Sequence, residues 1–236
     1  MANTSRLLYI DLLQKCLTDS IYQGDDYIKE VRDEGKDWPK RAHTMVGMKR
    51  LQNLSDCVKS VIENNVPGDL VETGVWRGGC TILMRGILKS YDVTNRTVWV
   101  CDSFQGLPKP SYKIDEGLDL YLDKNLAIPL EQVQENFRRY NLLDDQVKFV
   151  KGWFKDTLHT IPVKQIAVLR LDGDLYESTI QTLDALYSKL SKGGYCIIDD
   201  FCIAQCGQAV HDYRIKHGIL DPIIKIDWGG VYWKKT

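Results

Sequence analysis

The 236-residue sequence has no apolar run near the roughly 20 residues needed to span a bilayer, which argues against a helical membrane protein. Its start, Met1-Ala2-Asn3-Thr4-Ser5, lacks the charged and apolar regions of a secretory signal, so a cytoplasmic location is expected. Surplus charge is missing too: 31 Lys and Arg against 32 Asp and Glu leave a formal charge of -1, so the broad basic field of a nucleic-acid binder is absent. There is no cysteine framework. The seven cysteines are odd in number, scattered and set mostly among apolar neighbours, as reduced core thiols would be. Cys202, Cys206 and His211 lack the second Cys pair that a zinc site would need. No repeat or low-complexity tract divides the chain. What remains is an ordinary globular composition, 44% hydrophobic and 27% charged, long enough to bury a core without staples and suited to small-molecule partners.

Two helical patterns open the chain. Leu7, Leu8, Leu12, Leu13 and Cys16 suit one face of the first, and Met48, Leu51, Leu54, Val58, Val61 and Ile62 one face of the second. Between them, residues 24–41 are polar and charged and read locally as a solvated loop. Beyond Pro67-Gly68 the pattern changes to short β-rich runs: 69–72, 98–101, 147–150, 166–171 and 195–198. Each is followed by a polar turn and a helical pattern, which predicts a parallel sheet covered by helices. Pro129 is placed to begin one helix, with Val133 and Phe137 on its inner face; Gly193-Gly194 is placed to end another. The tail differs, since 223–226 and 231–233 flank Trp228-Gly229-Gly230 as two strands flank a tight turn. A doubly wound α/β sheet that closes with an antiparallel hairpin suggests the class I methyltransferase arrangement, here one domain with an N-terminal helical and lid extension (1–66) and a Rossmann-like core (67–236).

In such sheets ligands sit beyond the carboxyl ends of the strands. The first strand ends in Glu72-Thr73-Gly74-Val75-Trp76-Arg77-Gly78-Gly79, where glycines permit a tight turn and close approach at a helix N-terminus. An acidic residue ahead of the glycines favours a ligand with an ammonium group over a pyrophosphate, and the Gly-x-Gly-x-x-Gly order is absent. The second strand ends in Asp102-Ser103, whose carboxylate suits two ribose hydroxyls or a helix cap. The third ends in Gly152-Trp153-Phe154, where an aromatic or a backbone amide suits an adenine, and where core packing is an equal alternative. The fourth and fifth end in Asp172-Gly173-Asp174 and Asp199-Asp200. Capping accounts for one or two of these, such as Asp174 or Asp200. Four carboxylates on adjacent strand ends repel one another unless a cation is present, and a divalent oxygen-loving metal such as Mg²⁺ resolves the conflict.

Together the blocks 71–79, 102–108 (Asp-Ser-Phe-Gln-Gly-Leu-Pro), 171–179 (Leu-Asp-Gly-Asp-Leu-Tyr-Glu-Ser-Thr) and 198–201 (Ile-Asp-Asp-Phe) resemble the signature of the macrocin O-methyltransferase (TylF) family. Thr44-Met45-Val46-Gly47 is similar to that family's N-terminal cofactor-contacting segment. The resemblance runs from about Arg41 onward and implies S-adenosylmethionine, Mg²⁺ and methylation of hydroxyls on natural-product sugars, as in antibiotic biosynthesis. It implies that Thr44, Met45, Glu72, Thr73, Gly74, Arg77, Gly78, Asp102, Ser103, Gly152, Trp153, Phe154 and Asp172 contact the cofactor. It also implies that Asp172, Asp199 and Asp200 hold the metal, and that Asp174 is the base beside Asp172. His211, on a later helix pattern, is a weaker base candidate than an ordinary packed or solvent-facing histidine.

The expected partner is a small hydroxylated sugar acceptor, best a vicinal diol, with no nucleic acid or membrane; a homo-oligomer is left open. Residues 24–43 and 109–128 are expected to be lids, and 109–128 to carry acceptor choice. Two other functions compete. A Mg²⁺-dependent phosphatase of the haloacid dehalogenase type would use the acidic residues but leave the glycine-rich loop idle, and a non-catalytic S-adenosylmethionine-binding protein would keep the fold without turnover.

Overall fold

The computed structural model describes residues 2–24 and 27–236. Helix α1 (Ala2–Leu17), the short α2 (Lys29–Asp33) and α3 (Met48–Glu63) precede an alternating series. That series is β1 (Asp69–Thr73), α4 (Gly79–Ser90), β2 (Val98–Asp102), α5 (Leu130–Arg139), β3 (Val147–Lys151), α6 (Phe154–Thr157), β4 (Ile166–Leu171), α7 (Tyr176–Leu186), β5 (Leu190–Ile198) and α8 (Ala204–Lys216). The hairpin β6 (Ile224–Lys225) and β7 (Val231–Lys234) closes it. The seven strands form one sheet in the order β3-β2-β1-β4-β5-β7-β6, with the first five parallel. β7 inserts antiparallel between β5 and β6, pairing Ile198 with Val231 and Cys196 with Trp233.

The runs of Val, Ile and Leu make this sheet because helices cover both faces, so β4 is buried at every position. One apolar layer joins α1, α3, α4 and α5 to the sheet, and a second joins α7, α8 and the buried Trp233 to its other face. The order reverses between β1 and β4, and the cleft opens above their carboxyl ends. Among the described residues, no helix is long and apolar enough to cross a membrane.

Two local expectations need correction. In α1 the buried face is Ile10, Leu13, Gln14 and Leu17, while Leu7, Leu8 and Leu12 are exposed; leucines populate both sides of this helix, so counting them did not give its orientation. Gly193-Gly194 does not end a helix. α7 stops at Leu186, and the glycines lie inside β5, where Gly193 has φ +81° and a Cβ on Gly194 would lie 2.7 Å from the Ala167 carbonyl. They form a bulge that shifts the β4–β5 register between Ile166 and Val168.

The charged 24–41 stretch is mostly solvent-facing in its described part, as expected, but it contains the short helix α2 and a buried charge; Asp25 and Asp26 lie outside the described residues. Arg32 is buried, donates to the Met45 and Val46 carbonyls at 2.5 and 3.1 Å, and pairs with Asp37. Buried backbone carbonyls left over from the 44–47 turn supply what holds a guanidinium there.

Candidate active site

A cavity of about 450 Å³ lies over the strand ends, a volume suited to a small ligand. Its floor begins at Gly74. This glycine has φ +80°, and a Cβ on it would sit 1.6 Å from the Asp172 carbonyl oxygen, so β1 and β4 approach here only because the side chain is absent. Asp102 ends β2 and takes the Val75 N–H at 2.8 Å on one oxygen and the Phe104 N–H at 2.7 Å on the other. It therefore shapes both neighbouring loops and lines the cavity; burial raises its carboxyl above its ordinary value while those N–H groups and the Ser103 hydroxyl oppose the shift.

Thr44, Met45, Glu72, Ser103, Gly152, Trp153 and Phe154 line the same cavity. Thr73, Arg77 and Gly78 do not. Thr73 is buried against Thr182, and Gly78 lets α4 pack against Val133 of α5. Arg77 turns outward, stacks on Trp76 at 4.0 Å and donates to the carbonyls of Pro39, Lys40 and Ala42. It fastens the 39–42 segment to the first loop.

At the opposite end, ligand oxygens from Asp172, Asp199 and Asp200 lie within 4.8 Å of one another. Part of the positive charge that the cluster needs comes from within the protein, from arginines the sequence reading did not include. Arg170, buried in β4, donates through Nη1 to Glu72 (2.5 Å) and Asp172 (2.7 Å), and through Nη2 to Asp199. Arg50, from α3, donates to Asp199 at 2.5 Å and to Asp227 at 2.9 Å. Between them the two guanidiniums contact four carboxylates, Glu72, Asp172, Asp199 and Asp227, and neither pairs with the neighbouring Asp174 or Asp200.

The shortfall is visible in the acidities. Burial and the neighbouring Asp199 push Asp172 up to about 6. Burial with Asp172 and Asp199 pushes Asp174 up to about 7, and Asp200 rises well above the carboxylate range. Asp174 has φ +57°; its N–H donates to Asp200 at 3.1 Å, and its carboxylate makes no hydrogen bond among the described residues. All the donors are oxygens, and the cluster lacks positive charge, so these residues fit a Mg²⁺-like ion.

Sequence reasoning missed Arg170, Arg50 and Asp227. Arg170 carried a signal, a charge inside an otherwise apolar strand; the other two carried none. His211 is exposed on α8 with its ring against Phe201, outside the cavity. Residues 109–128 cover the opening, with Lys109, Ser111, Leu120 and Leu126 in the wall, and Gly35 and Trp38 line it from the N-terminal side.

Similarity to known proteins agrees with this geometry. The family model Macrocin-O-methyltransferase (TylF) matches residues 25–235. The chain is 53% identical over 250 aligned positions to a demethyldecarbamoylnovobiocin O-methyltransferase of Streptomyces niveus, covering 99% of this chain and 95% of that one. It is 52% identical over 249 positions to the 8-demethyl-8-(2,3-dimethoxy-α-L-rhamnosyl)-tetracenomycin-C 4'-O-methyltransferase of Streptomyces olivaceus, covering 100% and 95%. The solved structure of the O-methyltransferase NovP superimposes with a TM-score of 0.95 at 54% identity, covering 98% of this chain and 99% of that one.

Proposed function

Because the chain belongs to the macrocin O-methyltransferase (TylF) family and is an O-methyltransferase, we propose that it methylates a sugar hydroxyl of a glycosylated small molecule, using S-adenosylmethionine and a Mg²⁺ ion held by Asp172, Asp199 and Asp200. Family and fold imply the methyl donor; the phosphatase and non-catalytic alternatives fall with the same membership. The acceptor class is carried over from the relative named for the 4'-oxygen of a rhamnosyl compound. The observation that carries the metal assignment is the oxygen-only cluster, short of positive charge, at one end of a cavity whose other end is the β1–β3 loops.

When bound, S-adenosylmethionine supplies an electrophilic methyl group, and Mg²⁺ lowers the pKa of an oxygen that it touches. Asp102 offers its remaining lone pairs to the ribose hydroxyls. Glu72 has one oxygen on Arg170 and a buried Oε2 without a partner, to which we assign the donor's ammonium group. Gly152, Trp153 and Phe154 flank the adenine. Asp174, with an unengaged carboxylate beside the cluster, takes the acceptor hydroxyl proton as its oxygen attacks. A vicinal diol suits this end, since it can present two oxygens. Residues 27–43 and 109–128 act as lids that exclude water.

The test separates the carboxylates. Asp172→Asn and Asp200→Asn should lose Mn²⁺ binding, read by titration with the metal alone, together with turnover of a rhamnosylated acceptor. Asp174→Asn should keep Mn²⁺ and S-adenosylhomocysteine binding while turnover falls by roughly 10²–10⁴, the scale of a lost general base. Near-normal turnover in Asp174→Asn would remove its role, and full activity with metal demonstrably stripped would remove the metal. For Asp102→Ala, calorimetry should show S-adenosylhomocysteine binding weakened by about 10- to 100-fold.

A further inference from the structure

Helix α7 begins at Tyr176, two residues beyond Asp174, and its N-cap position is Leu175, which has no capping side chain. In sequence, Asp174 is the natural cap for this helix. The structure gives that task to a residue some sixty positions away. Asp115, fully buried in the covering segment 109–128, accepts the Tyr176 N–H on one oxygen at 2.8 Å and the Glu177 N–H on the other at 2.9 Å. Two further contacts hold the same junction. Glu177 accepts from the backbone and hydroxyl of Ser111, and the Tyr112 ring lies 6.1 Å from that of Tyr176.

The loop between β4 and α7 is thus fixed at three points. The Asp172 N–H is on the Thr73 carbonyl at 2.9 Å, the Asp174 N–H is on Asp200, and the first two N–H groups of α7 are on Asp115. Asp174 sits between these anchors in a left-handed conformation that a non-glycine residue adopts at some cost.

We propose that Asp115 is a positioning residue for Asp174: by capping α7 from the covering segment, it keeps the Asp174 carboxylate off that helix end and free for the acceptor. With the segment raised, the α7 N-terminus loses both acceptors, and Asp174, two residues ahead of Tyr176 on the same loop, is the carboxylate we assign to replace them. Capping and proton removal cannot be done by the same oxygens at once, so the base is released when the cover is down and is drawn onto the helix when it is up. This rests on the assignment of Asp174 as base, but the geometry can be tested without turnover.

The measurement is amide hydrogen exchange at Tyr176 and Glu177 in the full chain without ligands. Asp115→Ala should speed exchange there by roughly five- to tenfold, the scale of one lost cap, and Asp115→Asn, which keeps a capping oxygen, should restore it. Asp174→Ala alone should change it less than twofold, because Asp115 still holds the cap. Asp115→Ala combined with Asp174→Ala should exchange severalfold faster than Asp115→Ala, a non-additivity that a merely structural Asp115 does not produce. If the double variant matches Asp115→Ala, or if Asp174→Ala alone is fast, the proposal is overturned.

Should Asp115→Ala not fold, the wild type decides. In low urea the amides of 111–115 and of 176–177 should follow one opening isotherm, and two separate isotherms overturn the coupling. Failure of Mn²⁺ to bind would count against the metal assignment and leave these exchange results standing.

Discussion

At the scale of single residues, Arg170 holds much of the site together. A buried guanidinium stays charged and must be matched by acceptors, and Arg170 has three acids: Glu72, Asp172 and Asp199. Removing one partner of such a cluster leaves the others buried and uncompensated, which costs about 3–5 kcal/mol. Arg170→Met is therefore expected to lose about that much in urea unfolding, and adding Glu72→Gln should recover part of it. A second residue acts through protons. The ring of His43 touches the Tyr140 hydroxyl at 2.7 Å, and burial together with Arg139 and Arg77 pushes its pKa down to about 4. The unfolded chain binds that proton near pH 6.5, so the native state is penalised as pH falls from about 6.5 toward 4. Wild type should lose more Tm between pH 7 and pH 5 than His43→Gln does; equal losses would show that His43 is not the group responsible. These residues also mark where reading the sequence stops. Asp172, Asp199 and Asp200 were legible because acids cluster at strand ends, whereas the Arg50 pairs span 149 and 177 positions, and no local pattern announces them.

Among the elements, the strands were the most legible. The runs at 98–101, 147–150 and 166–171 match β2, β3 and β4 to within a residue; β4, buried at every position, is nearly continuous in apolar residues, whereas edge strand β3 was legible despite its exposed Lys148 and Lys151. β5 starts earlier than its apolar run, at Leu190, because polar Ser191 and Lys192 and the Gly193-Gly194 bulge hide its first half. α1 was legible as a helix but not in its orientation, and the cap of α7 was invisible because the capping residue belongs to another segment. The loop after β1 gives the clearest prediction at this scale. Gly74→Ala would place a methyl group 1.6 Å from the Asp172 carbonyl at a positive φ. Overpacking and backbone strain should together cost at least about 2 kcal/mol, measurable as a lower urea midpoint at unchanged slope. A midpoint within experimental error of wild type would mean that β1 and β4 can separate freely.

The molecule as a whole wraps its cavity with pieces from every part of the sequence: 35–50, the strand-end loops, 106–126 and 228–229 all line it. A ligand seated there joins them, so binding should appear as global stability. S-adenosylhomocysteine at a hundred times its dissociation constant adds about 2.7 kcal/mol, worth roughly 5–10 °C in Tm for a chain of this size. An unchanged Tm at that concentration would place the ligand elsewhere. The Arg50 link carries this wrapping into the making of the protein. Arg50 leaves the ribosome first, and Asp227, which shares it with Asp199, is synthesised 177 residues later. Until then Arg50 has only part of its anchorage, and the hairpin that walls this side of the cavity does not exist. A nascent chain can therefore fold its parallel strands while still tethered, yet it completes the carboxylate end only once Asp227 has been made. Stalled or truncated copies would be sheets without a finished pocket, unable to spend methyl donor on stray hydroxyls.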